Sequence, residues 1–359
     1  MRKHSRLFFV VTLVIFIILS AGCGQKQQTA PSAKKEITIT DSTGREMTVQ
    51  AGLNRLVVLN TNAAEALRIL QVPDDVIIGV SDTMQKVSYL SLEKKPSVGK
   101  WNTPNYEKII ELKPQAVIAY VKTPDKSIED KLEPAGIKVI RLDLSKPETY
   151  TSDLKTLAKV FEKDKAAEEF AKWMSEKSSL VEDRLKDLKT DNKYKVFCLW
   201  GDYNLTMGSW GTWNQKTGAH QLIEMAGGIN VARDLKEDYP KVSQEWVLEK
   251  NPDIVILPTF EEKGVLGYEV EDYTNAAKSR DIVLNNPVTE KTNAGKNKKV
   301  YVMSAKIQQS CMTTLGTIYL AKWLYPESFK DINPDQILKE YFEKWLRVPF
   351  KGKWAYPES

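Results

Sequence analysis

From Glu148 to Trp200 no Gly or Pro interrupts the chain, and apolar residues recur there at three- and four-residue steps. They are Leu154, Leu157, Ala158 and Phe161, then Phe170, Trp173, Met174, Leu180, Val181, Leu185 and Leu188, with Lys, Glu and Asp between them. This is an amphipathic helical pattern, because side chains three and four apart share one face of an α-helix. It predicts one long helix, or two joined at Glu162 to Asp164. A continuous helix from Lys165 to Leu188 would extend roughly 36 Å at about 1.5 Å per residue, about the width of a small domain.

The pattern on the two sides of this stretch repeats. Glu107-Lys-Ile-Ile-Glu-Leu-Lys-Pro114-Gln-Ala-Val-Ile118 precedes it, and Glu245-Trp-Val-Leu-Glu-Lys-Asn-Pro252-Asp-Ile-Val-Ile256 follows it, in register without a gap. In each copy a short helix begins near a Glu and stops before a Pro, which cannot continue it, and a buried apolar run follows as a strand. The expected fold is α/β: two Rossmann-like lobes with central sheets, bridged by a single long rigid helix over 147–190. The first lobe is expected over 37–146 and the second over 191–330, with a C-terminal helix and tail over 331–359 packing back on them.

Within the first lobe, Ile37 to Val49 alternates apolar and polar around Asp41-Ser-Thr-Gly44-Arg45, the pattern of a hairpin whose Gly takes the turn. An apolar strand from Leu56 to Leu59, a helix from Ala63 to Leu70 and a strand from Val76 to Val80 alternate as βαβ units do in a parallel sheet. In the second lobe a strand is expected from Lys195 to Trp200 and a helix from His220 to Met225, closed by Gly227-Gly228. A strand over Val300 to Val302 then leads into a loop from Ser304 to Ser310.

Composition changes this picture little, but the N-terminus adds to it. The 359 residues, 42% hydrophobic and 28% charged, suit two ordinary globular domains. Residues 1–22 have the order of a signal peptide: a basic start, an apolar run from Leu7 to Leu19, then small residues. Without Arg2, Lys3 and Arg6 the formal charge falls from +5 to +2, and no basic stripe remains to suit a nucleic acid. Leu19-Ser-Ala-Gly-Cys23 resembles the lipobox of lipoproteins, which implies that Cys23 is diacylated and becomes the new amino terminus. Residues 23–36 read as the lipidated Cys and a polar tether that cannot fold alone. The protein is thus expected on the outer face of a cell membrane. Cys198 and Cys311 sit beside apolar residues and read as buried free thiols, with a bridge between them left open.

The order of short motifs carries a family resemblance. The lipobox, Asp41-x-x-Gly44-Arg45, Arg55-Leu-Val-Val-Leu, Glu65, Gly79, Gly99, Asn105-Tyr-Glu107, Leu112-Lys-Pro114 and, later, Ala226-Gly-Gly-Ile-Asn230 with Asp234 follow one another here. Together they resemble the substrate-binding lipoproteins of ABC importers for iron siderophores, haem and cobalamin, over Ile37 to Tyr325. Departures are Gln71, Gln115 and the lack of a Pro ahead of Arg55, all in turns. The resemblance implies a monomeric binding protein, not an enzyme, with no cofactor of its own, that hands a metal chelate to a permease and its ATPase subunits. It also implies that Glu107 and Glu245 dock onto Arg residues of the permease, one from each lobe. Either Glu would also favour the positive start of its own helix.

The ligand candidates follow from aromatic placement. Trp101 and Tyr120 lie just outside strand or helix ends, where open α/β sheets bind ligands. Tyr239 precedes Glu245 by six residues, as Trp101 precedes Glu107. Trp200 and Trp246, embedded in a strand and a helix, read as core, whereas Tyr203, Trp210 and Trp213 lie among Gly, Ser, Thr and Asn and read as ligand contacts. Lys306 and Gln308 are expected on a loop closing one side of the cleft. Lys100, Lys122 and Lys306 are candidates to balance an anionic cargo, although the ordinary role of any one Lys is a solvated surface charge.

The chemistry of turnover is not legible. No nucleophile elbow, phosphate loop, zinc-protease helix or Cys-x-x-Cys occurs, and the 2 His of the chain cannot build a His-rich site for bare zinc or manganese. An aromatic cleft suits a large, flat or already chelated ligand. An iron(III) siderophore or haem is the first expectation. A corrinoid comes next, since the placement of Trp101 and Tyr239 resembles that of cobalamin binders. An enzyme acting on the chelate is the remaining alternative, without an acid, base or nucleophile to support it.

Overall fold

In the computed structural model, residues 35–189, 193–200, 209–260, 263–308 and 310–358 are described, within one compact unit, Lys35–Ser359. The signal peptide, Cys23, most of the tether and Tyr203 lie outside the described residues. Among those described, no helix is long and apolar enough to cross a membrane.

The chain enters through the expected hairpin, β1 (Glu36–Thr40) antiparallel to β2 (Glu46–Gln50). Asp41 shapes its turn by accepting the amides of Thr43 and Arg45 at 2.9 and 3.2 Å. Gly44 closes it at a φ of +83°, a conformation that a Cβ would strain.

The first lobe is built on β3 (Leu56–Val58), β4 (Ile77–Val80), β5 (Ala116–Ala119) and β6 (Lys138–Arg141), all parallel in the order β4-β3-β5-β6. Successive strand residues point to opposite faces, and both faces are packed. Leu56, Val58, Ile118 and Ile140 enter the main core, while Val57, Val117 and Val139 face a separate cluster with Ile109 and Leu132. Burial on both sides explains why these strands read as continuous apolar runs.

In the second lobe β7 (Lys195–Cys198), β9 (Ile229–Asn230), β11 (Ile254–Thr259) and β12 (Val300–Ser304) run parallel, and β13 (Ala355–Tyr356) joins β12 antiparallel, giving the order β13-β12-β11-β7-β9. A separate ribbon pairs β8 (Ser209–Gly211) with β10 (Lys241–Ser243).

The internal repeat extends to its caps. The helices Tyr106–Leu112 and Gln244–Lys250 each have 7 residues. Asn105 accepts the amide of Lys108, and Ser243 that of Trp246. Each helix ends on a left-handed residue, Lys113 at φ 48° and Asn251 at φ 44°. The position before a Pro disfavours helical backbone, so the chain turns out there and runs into β5 or β11.

The single bridging helix is corrected to two, Pro147–Phe161 and Asp164–Leu185. Glu162 breaks the run in the left-handed region at φ 54°, and Glu162 to Asp164 offers no apolar side chain to carry the stripe across. The first helix packs on the first lobe, where Asp153 accepts the Ser42 hydroxyl at 2.7 Å and Lys159 donates to the Thr38 carbonyl at 2.7 Å. The second, 22 residues long or about 33 Å, passes under the C-terminal tail, with Phe170 and Trp345 5.0 Å apart. That tail straps both lobes: Phe342 meets Tyr89 of the first at 5.5 Å, and β13 extends the second sheet.

Candidate ligand-binding cleft

The carboxyl ends of the two sheets face each other. β3 runs into the helix Thr61–Ile69, whose N-cap Asn60 accepts the amides of Asn62 and Ala63 and places Glu65 just over one turn in. β12 runs into the helix Ala305–Gln308. The two meet where Lys306 Nζ donates to Glu65 Oε1 at 2.7 Å. A second link joins the Ser88 hydroxyl to Glu269. Ligands of open α/β sheets bind beyond the carboxyl ends of the strands, so the space flanked by these edges is the candidate cleft.

Glu65 is the junction. Its side chain is fully buried, and besides Lys306 it accepts the Tyr89 hydroxyl at 2.6 Å, the Cys311 thiol at 2.7 Å and the Tyr341 hydroxyl at 3.0 Å. These donors come from the first lobe, the second lobe and the tail. Burial alone would raise the Glu65 pKa, but the charge of Lys306 and the hydrogen bonds from Cys311, Lys306 and Tyr89 outweigh it and hold the carboxyl below its ordinary value. The charge so retained raises the Cys311 thiol further, beyond what burial does. Cys198 is also buried and raised, chiefly by burial. Both cysteines are free, as inert buried thiols are, and no bridge joins them.

Each lobe lines its edge with an aromatic pair. In the first, Trp101 sits edge-on to Tyr120 with centroids 5.3 Å apart, and the Tyr120 hydroxyl oxygen accepts the Thr61 amide at 3.2 Å. In the second, Trp200 follows β7 and lies 5.7 Å from Tyr239. Among the described residues only five large hydrophobic side chains are exposed; three are Trp101 at 38%, Trp200 at 37% and Tyr239 at 56%.

Two expectations exchange places here. Trp210 and Trp213 are buried, at 2% and 1% exposure, the first because β8 folds back on β10 and the second within the main core. Trp210 pairs with Val242 and packs 6.2 Å from Phe197, and Trp213 backs Trp200 at 6.2 Å. The loop assignment is therefore corrected for Trp210, a residue of β8, while Trp213 is in a loop but buried; the core assignment of Trp200 is corrected as well. Trp246 is half-buried against the second-lobe core. Gly211 makes this packing possible, since a Cβ there would lie 2.7 Å from the Trp200 carbonyl oxygen and 2.9 Å from its ring.

The polar candidates divide as well. Lys306 stands over the Tyr89 ring and is committed to Glu65. Gln308, expected on a loop, ends the helix Ala305–Gln308, is wholly buried and directs its amide toward Cys198 Sγ at 3.8 Å. That expectation is corrected for Gln308, whose side chain turns inward from a helix and not from a loop. Lys100 and Lys122 are exposed. Glu107 and Glu245 are exposed in the first turns of their helices; hydrogen bonds from its own amide and the Ser243 hydroxyl hold Glu245 below its ordinary pKa. No cluster of three His, Cys, Asp or Glu suited to a metal ion occurs among the described residues. The residues passed over in the sequence were Trp200 and Glu65. For Glu65 a signal existed: a lone acid between Ala63, Ala64, Ala66 and Leu67 marks a charge inside an apolar helix.

Residues 56–307 match the periplasmic binding protein family. The chain belongs to that family. Its members are solute-binding proteins of ABC transporters that act outside the cytoplasm, not enzymes, and the two facing sheets are their architecture. The molybdate-binding protein MolA of Haemophilus influenzae is 27% identical over 352 residues, spanning 89% of this chain and 93% of its own. A vitamin B12-binding protein of Photorhabdus laumondii is 26% identical over 47% of this chain and 59% of its own. The TroA-like periplasmic binding protein FepB from Veillonella parvula shares the fold with a TM-score of 0.76 at 24% identity, over 90% of this chain and 100% of its own. MolA bound to molybdate shares it with a TM-score of 0.72 at 24% identity, over 88% and 100%.

Proposed function

We propose that this binding protein captures an iron(III) chelate, a siderophore or haem, between the pairs Trp101–Tyr120 and Trp200–Tyr239 and delivers it to an ABC permease. The observation that carries this is the exposure of rings on both edges of the cleft. Rings left open to water on both edges are suited to cover a flat or ring-bearing cargo, and the phenols and indoles add directional hydrogen bonds. Charge supports it too. Lys306 is neutralised by Glu65, which leaves the exposed Lys100 and Lys122 to balance an anionic chelate. Among the described residues no cage of ligands for a bare metal ion is provided. We further infer that Cys23 carries a diacyl lipid and that the protein is a monomer on the extracytoplasmic face of the membrane. Incorporation of labelled fatty acid, lost in Cys23→Ser, tests the anchor.

The test of the cargo is a titration of tryptophan fluorescence with ferrichrome, ferric enterobactin, haemin, cyanocobalamin and molybdate. Saturable quenching at submicromolar ferric siderophore or haemin supports the proposal. Preference for cyanocobalamin would assign a corrinoid, as the vitamin B12-binding relatives suggest. Tight calorimetric binding of molybdate, with no response to any chelate, would overturn the proposal in favour of the cargo named for the relative similar over most of the chain.

A further inference from the structure

Arg141, the last residue of β6, is 6% exposed and uses every N–H of its guanidinium. Nε donates to Glu129 Oε1 at 2.6 Å and Nη2 to Glu129 Oε2 at 2.8 Å, a two-pronged ion pair. The remaining donors go to backbone. Nη1 reaches the carbonyls of Tyr120, Val121 and Pro124 at 2.9, 3.2 and 2.8 Å, and Nη2 that of Asp125 at 3.0 Å. Four carbonyls within six residues thus converge on one cation, in a segment that is neither helix nor strand.

That segment leaves the carboxyl end of β5. Its first residue is Tyr120, fixed at its hydroxyl by Thr61 and at its ring by Trp101, and Lys122 stands exposed near its tip. Glu129 takes two of the five N–H groups of this buried guanidinium, and the loop carbonyls take the other three. The carbonyls of a surface turn would otherwise face water, and turning them inward sets the curvature of the loop. We propose that Arg141 is a positioning residue that pre-shapes the 120–125 loop for cargo, presenting Tyr120 to Trp101. This rests on Tyr120 being a cargo contact. Only a guanidinium can do it: a Lys ammonium is a point charge with three donors and cannot grip a carboxylate in two prongs while holding four carbonyls.

The experiment compares Arg141→Lys with Glu129→Gln in the full chain. Glu129→Gln disturbs the ion pair and leaves the guanidinium on the loop. Ferrichrome, ferric enterobactin, haemin, cyanocobalamin and molybdate are titrated in turn, and the probe that binds the wild type is carried forward. A pre-shaped site loses affinity when it is loosened, so Arg141→Lys is expected to bind about tenfold more weakly, equivalent to about 1.4 kcal/mol. Glu129→Gln is expected to stay within about twofold, whatever its unfolding midpoint. The Trp101 contribution to cargo-free emission, taken as the difference from Trp101→Phe, should change in Arg141→Lys alone. Equal losses in both variants, or wild-type affinity and emission in Arg141→Lys, would overturn the assignment. Should Arg141→Lys fail to fold, Pro124→Gly loosens the same loop with the ion pair intact; retained affinity there overturns it equally. If no probe binds the wild type, the cargo reading fails by itself, and the Trp101 signal still decides the role of Arg141.

Discussion

The two lobes hold their cleft aromatics by different means. In the first, Tyr120 is fixed by directional polar bonds: Arg141 binds its carbonyl at 2.9 Å and the Thr61 amide its hydroxyl at 3.2 Å. In the second, Trp200 is fixed by shape. Its amide bonds the Gly211 carbonyl at 2.8 Å, its ring lies on Trp213 and Tyr239, and the missing side chain of Gly211 leaves room for both. The helix-Pro-strand units behind these edges are capped alike, by a side-chain oxygen at the start and a left-handed residue before the Pro. Two lobes built on one repeated unit can therefore diverge where the cargo is met while keeping the frame that sets the strands. A hydrogen-bonded edge tolerates changes in neighbouring volume and fails when a donor is lost; a packed edge does the reverse.

The largest effect is expected where the lobes are alike. Replacing both Glu107 and Glu245 with Ala should abolish cellular uptake of cargo and leave its affinity unchanged, because these exposed carboxylates stand outside the aromatic pairs. Uptake assayed beside a binding titration checks this, and unchanged uptake would remove the docking role. Next comes the bond that joins the lobes. Glu65→Ala leaves Lys306 without its buried partner and should cost about 3–5 kcal/mol in urea unfolding. The Glu65 carboxyl is held below the ordinary value of 4.5, so the stability it contributes is present above that pH and is lost as the pH falls through the native value. Unfolding midpoints measured downward from pH 6 should therefore drop more steeply in the wild type than in Glu65→Gln.

A third contrast separates exposed from buried indoles. Trp200→Ala should weaken cargo binding by about 30-fold, or about 2 kcal/mol, with little change in unfolding. Trp210→Ala should lower stability by about 3–5 kcal/mol. Reversal of the two results would return ligand contact to Trp210. The smallest effects test packed against polar edges. Gly211→Ala drives a Cβ into the Trp200 carbonyl and should cost about 1–3 kcal/mol and weaken binding. At Gly79 in the first lobe the added Cβ meets Leu112 Cδ1 at 2.7 Å, the movable end of a side chain. Gly79→Ala should therefore lose under about 1.5 kcal/mol and keep affinity. Equal affinity losses in the two variants would mean that shape governs both edges.

Much of the frame was legible from the chain, because it rests on interactions a few residues apart. Asp41 to Gly44 specify a hairpin turn within four positions, and Asn105 or Ser243, the left-handed residue and the following Pro specify each repeated helix locally. Strands that are apolar at every position announced a sheet covered on both faces. Glu162 was recognisable as a joint between two helical stripes, and only the left-handed backbone there showed that the joint is broken. Which Trp meets solvent was not legible. Trp210 and Trp213 sit among loop-forming residues; the burial of Trp210 comes from β10, some thirty residues later in the chain, and Trp213 joins the main core. The two carboxyl-edge residues that organise the cleft, Glu65 and Lys306, are 241 residues apart, and Arg141 acts on carbonyls, which carry no side-chain identity to read. Short-range capping and periodicity therefore determined the lobes and their order, and the run of short motifs carried the family resemblance. The choice of which side chains face the cleft was made by non-local pairing, since burial is a property of the whole packed surface and not of any window of sequence.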